Sequence, residues 1–221
     1  MAVVEIRGES AGYAGKTVLS DLDLCVEPGE RIALVGESGA GKSTLLRMIY
    51  ERCAESAALV PQEFGLVQAL TVFHNIYMGQ LHCRSVWRNL RNLLWPRRDD
   101  VAEVRAVVEN LRLEDKLFTG VGELSGGQQQ RTAVGRALYH PGTVLVADEP
   151  VSSVDEHQAR EILNTLNSEK ETVIIAMHDR ALAIESADRL IGIKGGRIVL
   201  DEPSAGMIPA DLDKLYRVAD A

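Results

Sequence analysis

The sequence predicts an α/β fold: a parallel sheet flanked by helices, with a small antiparallel β lobe and a helical lobe. Three observations predict it. The strand RIALVG (31–36) runs into a glycine-rich loop and then into a helical pattern, KSTLLRMIYERC (42–53). Two apolar strands, TVLVAD (143–148) and TVIIAM (172–177), are separated by the helical VDEHQAREILNTLNSE (154–169), which is the βαβ alternation of a parallel sheet. Between these blocks, residues from about 66 to 140 carry mostly helical spacing and few β-branched runs.

Taken in order, AVVEIRG (2–8) and the alternating TVLSDLDLCV (17–26) predict the strands of the β lobe. SAALVPQEF (56–64) predicts a short strand broken at Pro61. From about Thr71 to Leu117 the pattern is helical, with WPRRDD (95–100) as a polar break. Ser125 and Gln128 make a capping box, S-x-x-Q, opening a helix that runs to about Tyr139 and stops before Pro141-Gly142. RLIGIKGGRIVLDE (189–202) predicts a hairpin around Gly195-Gly196, and IPADLDKLYRVADA (208–221) predicts a final helix. The whole of 1–221 reads as one unit, without repeats or linkers.

Composition narrows the function. With 221 residues, 46% hydrophobic and 25% charged, the chain has the make-up of an ordinary globular protein with one substantial core. Its net charge of -8 argues against coating nucleic acid, which needs clustered positive charge, so no nucleic-acid partner is expected. No apolar run approaches the roughly 20 residues that cross a bilayer, and MAVVEIRGES lacks a signal-peptide layout. A cytoplasmic protein is expected. Cys25, Cys53 and Cys83 are odd in number and widely spaced, so packing roles are expected for all three.

GESGAGKST fits the phosphate-loop pattern G-x-x-x-x-G-K-[ST]. Glycines let the backbone curl so that N–H groups converge on phosphate oxygens, and the following helix adds the positive end of its dipole. The phosphate-binding residues are therefore Gly36, Glu37, Ser38, Gly39, Ala40, Gly41, Lys42, Ser43 and Thr44. Lys42 is expected to reach the β- and γ-phosphates and Ser43 to hold Mg²⁺, the arrangement of a P-loop NTPase core. A glycine-rich turn that merely caps a helix is the bland alternative. TVLVADEP then delivers Asp148 to the carboxyl edge of the sheet, where it is expected to hold the metal shell, with Glu149 next to it to polarise the attacking water. Taken alone, such an acidic strand exit is as often structural.

ELSGGQQQR (123–131) is the deciding segment. A capping box explains Ser125 and Gln128, but not two glycines in a first helical turn, which cost stability unless something approaches the backbone N–H groups. Here the sequence resembles the ATP-binding subunits of ABC transporters over nearly its whole length. The resemblance implies that Ser125, Gly126, Gly127 and Gln128 contact ATP held by an opposing subunit, so that a homodimer or paired ATPase subunits close head-to-tail over two ATPs. It also implies that Gln62 touches Mg²⁺ or the attacking water, Asp155 makes a dimer contact, His178 contacts the γ-phosphate, and Tyr13 stacks on adenine. The predicted catalytic set is Glu149, His178, Lys42 and Gln62; the metal set is Ser43, Gln62 and Asp148; the cofactors are ATP and Mg²⁺.

Within the family, SVWRNLRNLLWP, LSGGQQQR, DEPVSSVD and ADRLIGIKGGRIVLDEPSAGM are most similar to phosphonate-import ATP-binding subunits. This implies a peripheral subunit on the inner face of the membrane, attached to integral permease subunits and served indirectly by a solute-binding protein. Another cargo (lipoprotein, amino acid or peptide), a soluble ABC-type ATPase outside transport, and a non-hydrolysing regulatory module are the rival readings. One departure stands out: only 20 residues separate Lys42 from Gln62, 62 minus 42. This predicts a β lobe that lacks a hairpin.

Overall fold

The structure, a computed structural model, describes residues 2–13 and 15–216. Among the described residues, eight strands form two sheets. β1 (Val4–Tyr13) and β2 (Lys16–Val26) make a two-stranded antiparallel sheet. β3 (Arg31–Val35), β4 (Ala57–Val60), β5 (Val144–Asp148), β6 (Thr172–Ala176), β7 (Arg189–Lys194) and β8 (Arg197–Pro203) make a six-stranded sheet in the order β4-β5-β6-β3-β7-β8. All its pairings are parallel except β7 with β8, the hairpin expected around Gly195-Gly196.

Because the central strands are buried on both faces, they read as continuous apolar runs. Their alternate residues feed two separate cores. Ile32, Leu34, Val146 and Ile174 pack against helix α1 (Lys42–Cys53) and the inner face of the two-stranded sheet, where Ile6, Leu22 and Leu24 meet Leu45 and Ile49. Ala33, Val35, Leu145 and Val173 face the other way, toward α2 (Val72–Tyr77), α4 (Arg98–Glu109), α5 (Gly126–Tyr139), α6 (Glu156–Glu169) and α7 (Arg180–Ser186). A one-residue change of register in any of these strands would exchange the two cores.

α1 passes through Ala54–Ser56 straight into β4, so no strand pair stands between Lys42 and Gln62, as the short spacing predicts. Of the polar break expected over 95–100, only 95–97 separates α3 (Val86–Leu94) from α4, because Arg98, Asp99 and Asp100 form the first turn of α4. Of the helix expected over 208–221, Pro209–Leu212 is a 3₁₀ turn and Asp213–Tyr216 one helical turn, α8; residues 217–221 lie outside those described. The cysteine expectation needs correction. Cys53 is buried at the end of α1, but Cys25 and Cys83 are exposed, because Cys25 falls on the outward side of alternating β2 and Cys83 ends a surface 3₁₀ turn.

Candidate functional site

The glycine loop lies between the carboxyl end of β3 and the first turn of α1. Two glycines there are required by contact. At Gly36, φ is 149° and a Cβ would lie 2.3 Å from the Ile193 carbonyl oxygen; at Gly41, φ is 112° and a Cβ would lie 2.5 Å from Leu19 Cδ2. Any side chain at either position would strain the curl or push it off its neighbours. Inside that curl, Lys42 Nζ donates to the Gly36 carbonyl at 2.8 Å and to the Glu37 carbonyl at 3.1 Å. Lys42 is buried, and burial pushes its ammonium below its usual pKa, while the nearby Glu149 and Asp148 carboxylates act the other way.

Strand order brings the remaining groups to the same edge. Because β4, β5, β6 and β3 are neighbours, the residues that follow them emerge side by side, at the edge where open α/β sheets bind ligands. A cleft of about 240 Å³ is lined by Val18, Ser38, Gly39, Gly41, Lys42, Ser43, Thr44, Gln62, Glu149 and His178. Across it, His178 Nε2 lies 2.5 Å from Glu149 Oε1. Glu149 has φ 52°, a left-handed backbone for a non-glycine residue, and its N–H donates to the Ala176 carbonyl of β6 at 3.0 Å. Asp148, the last residue of β5, is buried one position before it.

Other predicted residues stand apart from this cleft. Tyr13 ends β1 half-exposed, with the Arg47 guanidinium over its ring, 5.7 Å from the centroid. Asp155 caps α6, accepting from the Gln158 N–H at 3.0 Å, and that backbone hydrogen bond holds its carboxyl below the usual pKa. The capping box at the head of α5 is formed: Ser125 Oγ accepts from the Gln128 N–H, and Gln128 Oε1 accepts from the Ser125 N–H at 3.0 Å. The two glycines after it differ. A Cβ on Gly127 would lie 2.9 Å from the Ser153 carbonyl oxygen, whereas nothing lies within 4 Å of one on Gly126. Close packing inside the chain therefore accounts for Gly127, but not for Gly126.

The ABC transporter family matches residues 19–152. The phosphonates import ATP-binding protein PhnC of Stutzerimonas stutzeri is 31% identical over 97% of this chain and 90% of its own length. The corresponding protein of Paraburkholderia xenovorans is 35% identical over 91% of this chain and 77% of its own. The chain belongs to the ABC transporter family. It is an ABC ATPase, and its fold matches a solved ATP binding subunit of an ABC transporter with a TM-score of 0.77 at 22% identity, over 96% of this chain and 97% of that one.

Three residues of this ABC ATPase make contacts that were not anticipated from its sequence. Gln130, fully buried on α5, donates through Nε2 to the Glu149 carbonyl at 2.9 Å and the Ser152 hydroxyl at 3.2 Å, and accepts the Ser153 N–H at 2.9 Å. Arg136, two turns further along, donates to the Phe64 and Gly65 carbonyls at 2.7 and 2.6 Å, clamping the left-handed turn that follows Gln62. Tyr216 on α8 accepts the Gly36 N–H through its hydroxyl at 3.1 Å. Only Gln130 lay near a visible signal, the glutamine run at 128–130; the other two depend on chain reversals that local spacing does not encode.

The oxygen donors suit Mg²⁺. Exposed Ser43 and Gln62 line the cleft, and Asp148 ends β5 buried one position before Glu149. That pattern fits a hard ion held by few protein groups and completed by phosphate oxygens and water, better than an all-protein cage.

Proposed function

We propose that the chain is the ATP-hydrolysing subunit of an importer for phosphonate or a related oxyanion, acting as a head-to-tail pair on integral permease subunits served by a solute-binding protein. The observation behind the pairing is Gly126. The chain carries a phosphate cleft lined by Lys42, Gln62, Glu149 and His178, yet Ser125 to Gln128 do not line it, and the glycine that opens α5 faces empty space. A helix N-terminus with no covering side chain suits an anion, and a second copy of the chain would bring one as its bound ATP. The cargo reading is supported by the likeness to phosphonates import proteins.

On this reading Tyr13 stacks on the base, while the backbone from Gly36 to Thr44 and the Lys42 ammonium grip the β- and γ-phosphates. Ser43, Gln62 and Asp148 would hold Mg²⁺, which would supply charge neutralisation for the phosphates. The Glu149 carboxylate orients and deprotonates the attacking water, and His178, already within hydrogen-bond distance of it, fixes that carboxylate and reaches the γ-phosphate. Ser125, Gly126, Gly127 and Gln128 close over the partner's nucleotide, with Asp155 at the joint. Closure and reopening of the pair drive the permease.

Glu149→Gln tests the chemistry. The variant is expected to bind ATP, to elute as a stable dimer with ATP, and to turn over about 10²- to 10⁴-fold more slowly, the usual cost of losing a positioned base. Near-normal turnover would remove Glu149 from this role. For cargo, ATPase activity of the reconstituted permease complex should rise with a phosphonate-loaded binding protein and not with an amino-acid-loaded one.

A further inference from the structure

Tyr216 lies outside the phosphate cleft, yet its hydroxyl holds one end of the loop that forms it. β3 stops pairing with β7 at Val35 and Gly192, and the next residue, Gly36, donates its N–H to the Tyr216 hydroxyl oxygen at 3.1 Å. The Gly36 carbonyl, on the other side of the same Cα, accepts from Lys42 Nζ at 2.8 Å. The two peptide planes that flank Gly36 are thus tied to different side chains, one to Tyr216 and the other to Lys42. Between them stands a glycine at φ 149°, the residue type with the most backbone freedom to lose. Holding the first plane therefore restricts where the second one, and with it the Lys42 anchor, can point.

Tyr216 is itself held by contacts that do not involve the loop. Leu212 and Leu215 are buried, and Leu215 occupies the space that a side chain at Gly192 of β7 would need: a Cβ there would lie 2.7 Å from Leu215 Cδ1. The Arg180 guanidinium stands over the Tyr216 ring, 5.0 Å from the centroid, and pairs with Asp213, the first residue of α8. Arg180 in turn opens α7, two residues past His178. The hydroxyl oxygen is thus an acceptor fixed by apolar packing and by a neighbouring cation, and the amide it receives is the first of the glycine loop. Neither Tyr216 nor Gly36 lines the cleft, so any effect of this hydrogen bond on the nucleotide passes through the loop.

We infer that Tyr216 is a positioning residue for ATP binding: through Gly36 it fixes the carbonyl that anchors Lys42, and so keeps the ammonium poised for the β- and γ-phosphates before the nucleotide arrives. This rests on the proposed role of Lys42 at those phosphates. Without the hydroxyl, the nucleotide itself has to order the Gly36 peptide, and that cost falls on binding. Once ATP is bound, its phosphates hold the loop, and the chemical step is little affected. Tyr216→Phe removes only the oxygen and keeps the ring under Arg180. KM for ATP should rise about 3- to 10-fold, the range of one hydrogen bond, while kcat stays within about twofold of the unsubstituted chain. Hydrogen exchange of the backbone segment that contains Gly36 should be faster in the nucleotide-free variant and return to the unsubstituted rate at saturating ATP. A merely structural hydrogen bond would lower thermal stability without moving KM, and that result would overturn the inference. Exchange at Gly36 that ignores the substitution, or a fall in kcat with KM unchanged, would overturn it as well. Lys42→Ala measured alongside keeps two failures apart. If ATP affinity survives the loss of Lys42, the cleft reading and this inference fall together; if it is lost in Lys42→Ala but kept in Tyr216→Phe, only the role of Tyr216 falls.

Discussion

At the scale of single residues, the site depends on side chains that hold the reacting groups as much as on the groups themselves. Glu149 occupies a left-handed backbone conformation that costs of order 1–3 kcal/mol and persists only where the surroundings over-determine it. Gln130 provides part of that constraint with hydrogen bonds to Glu149, Ser152 and Ser153. Gln130→Leu keeps the approximate volume but removes hydrogen bonds to the Glu149 carbonyl and the Ser153 N–H, at a cost of about 0.5–1.5 kcal/mol in denaturant unfolding. With Glu149 less firmly held, kcat should fall about tenfold while KM for ATP changes little, the mark of positioning rather than of binding. An unchanged kcat alongside the stability loss would reduce Gln130 to a purely structural role. Lys42, Glu149 and His178 were legible in the sequence because each sits in a short contiguous motif; Gln130 was not, because its partners lie 19 to 23 residues away.

At the scale of elements, α3 and α5 show how a helix can serve a surface instead of the core. α3 is fixed through Asp100. Burial alone would push that carboxyl up, but hydrogen bonds from Arg88 and Asn92 and the Arg88 charge outweigh it and hold the carboxyl below its usual pKa. A depressed carboxyl adds stability that is complete above the ordinary carboxylate range, about pH 4, and is lost as pH falls through the lowered value. Acid should therefore release α3, seen as a change in tryptophan emission. Asp100→Ala should release it at neutral pH and destabilise the chain by about 2–3 kcal/mol, less than a fully buried pair because Arg88 keeps a solvent-facing edge. α5 makes the opposite case: Gly126→Asp places an acid in a first helical turn with open space around it, so thermal stability should hold or rise slightly. If that turn receives an anion, the same substitution should abolish turnover.

At the scale of the molecule, Gly126→Asp also tests the pairing. Gly126→Asp and Lys42→Ala subunits should each lose about 10²-fold or more in turnover alone. A mixture should recover part of it, because a mixed pair retains one site with an intact Lys42 facing an intact helix head. Full activity of pure Gly126→Asp would rule out action across the pair. Within one chain, α5 already joins the parts that closure would move. Its first turn packs on Ser153, Gln130 holds the turn after Glu149, and Arg136 holds the turn after Gln62. A shift at the helix head is thus carried by one rigid element to two loops of the same site.

Sequence by itself determined the glycine loop, the capped α5, the β7–β8 hairpin and the absence of a strand pair between Lys42 and Gln62, because each follows from residues within a few positions of one another. Hydrophobic period, turn chemistry and caps act at that range. Tertiary structure alone decided that Gln62, Glu149 and His178 share a cleft with Lys42, since this follows from the non-sequential strand order β4-β5-β6-β3. It also decided that α3 turns its leucines outward. The apolar spacing in VWRNLRNLLWP is that of a core helix, and only the buried Asp100, drawn from the next helix, determines which face points in.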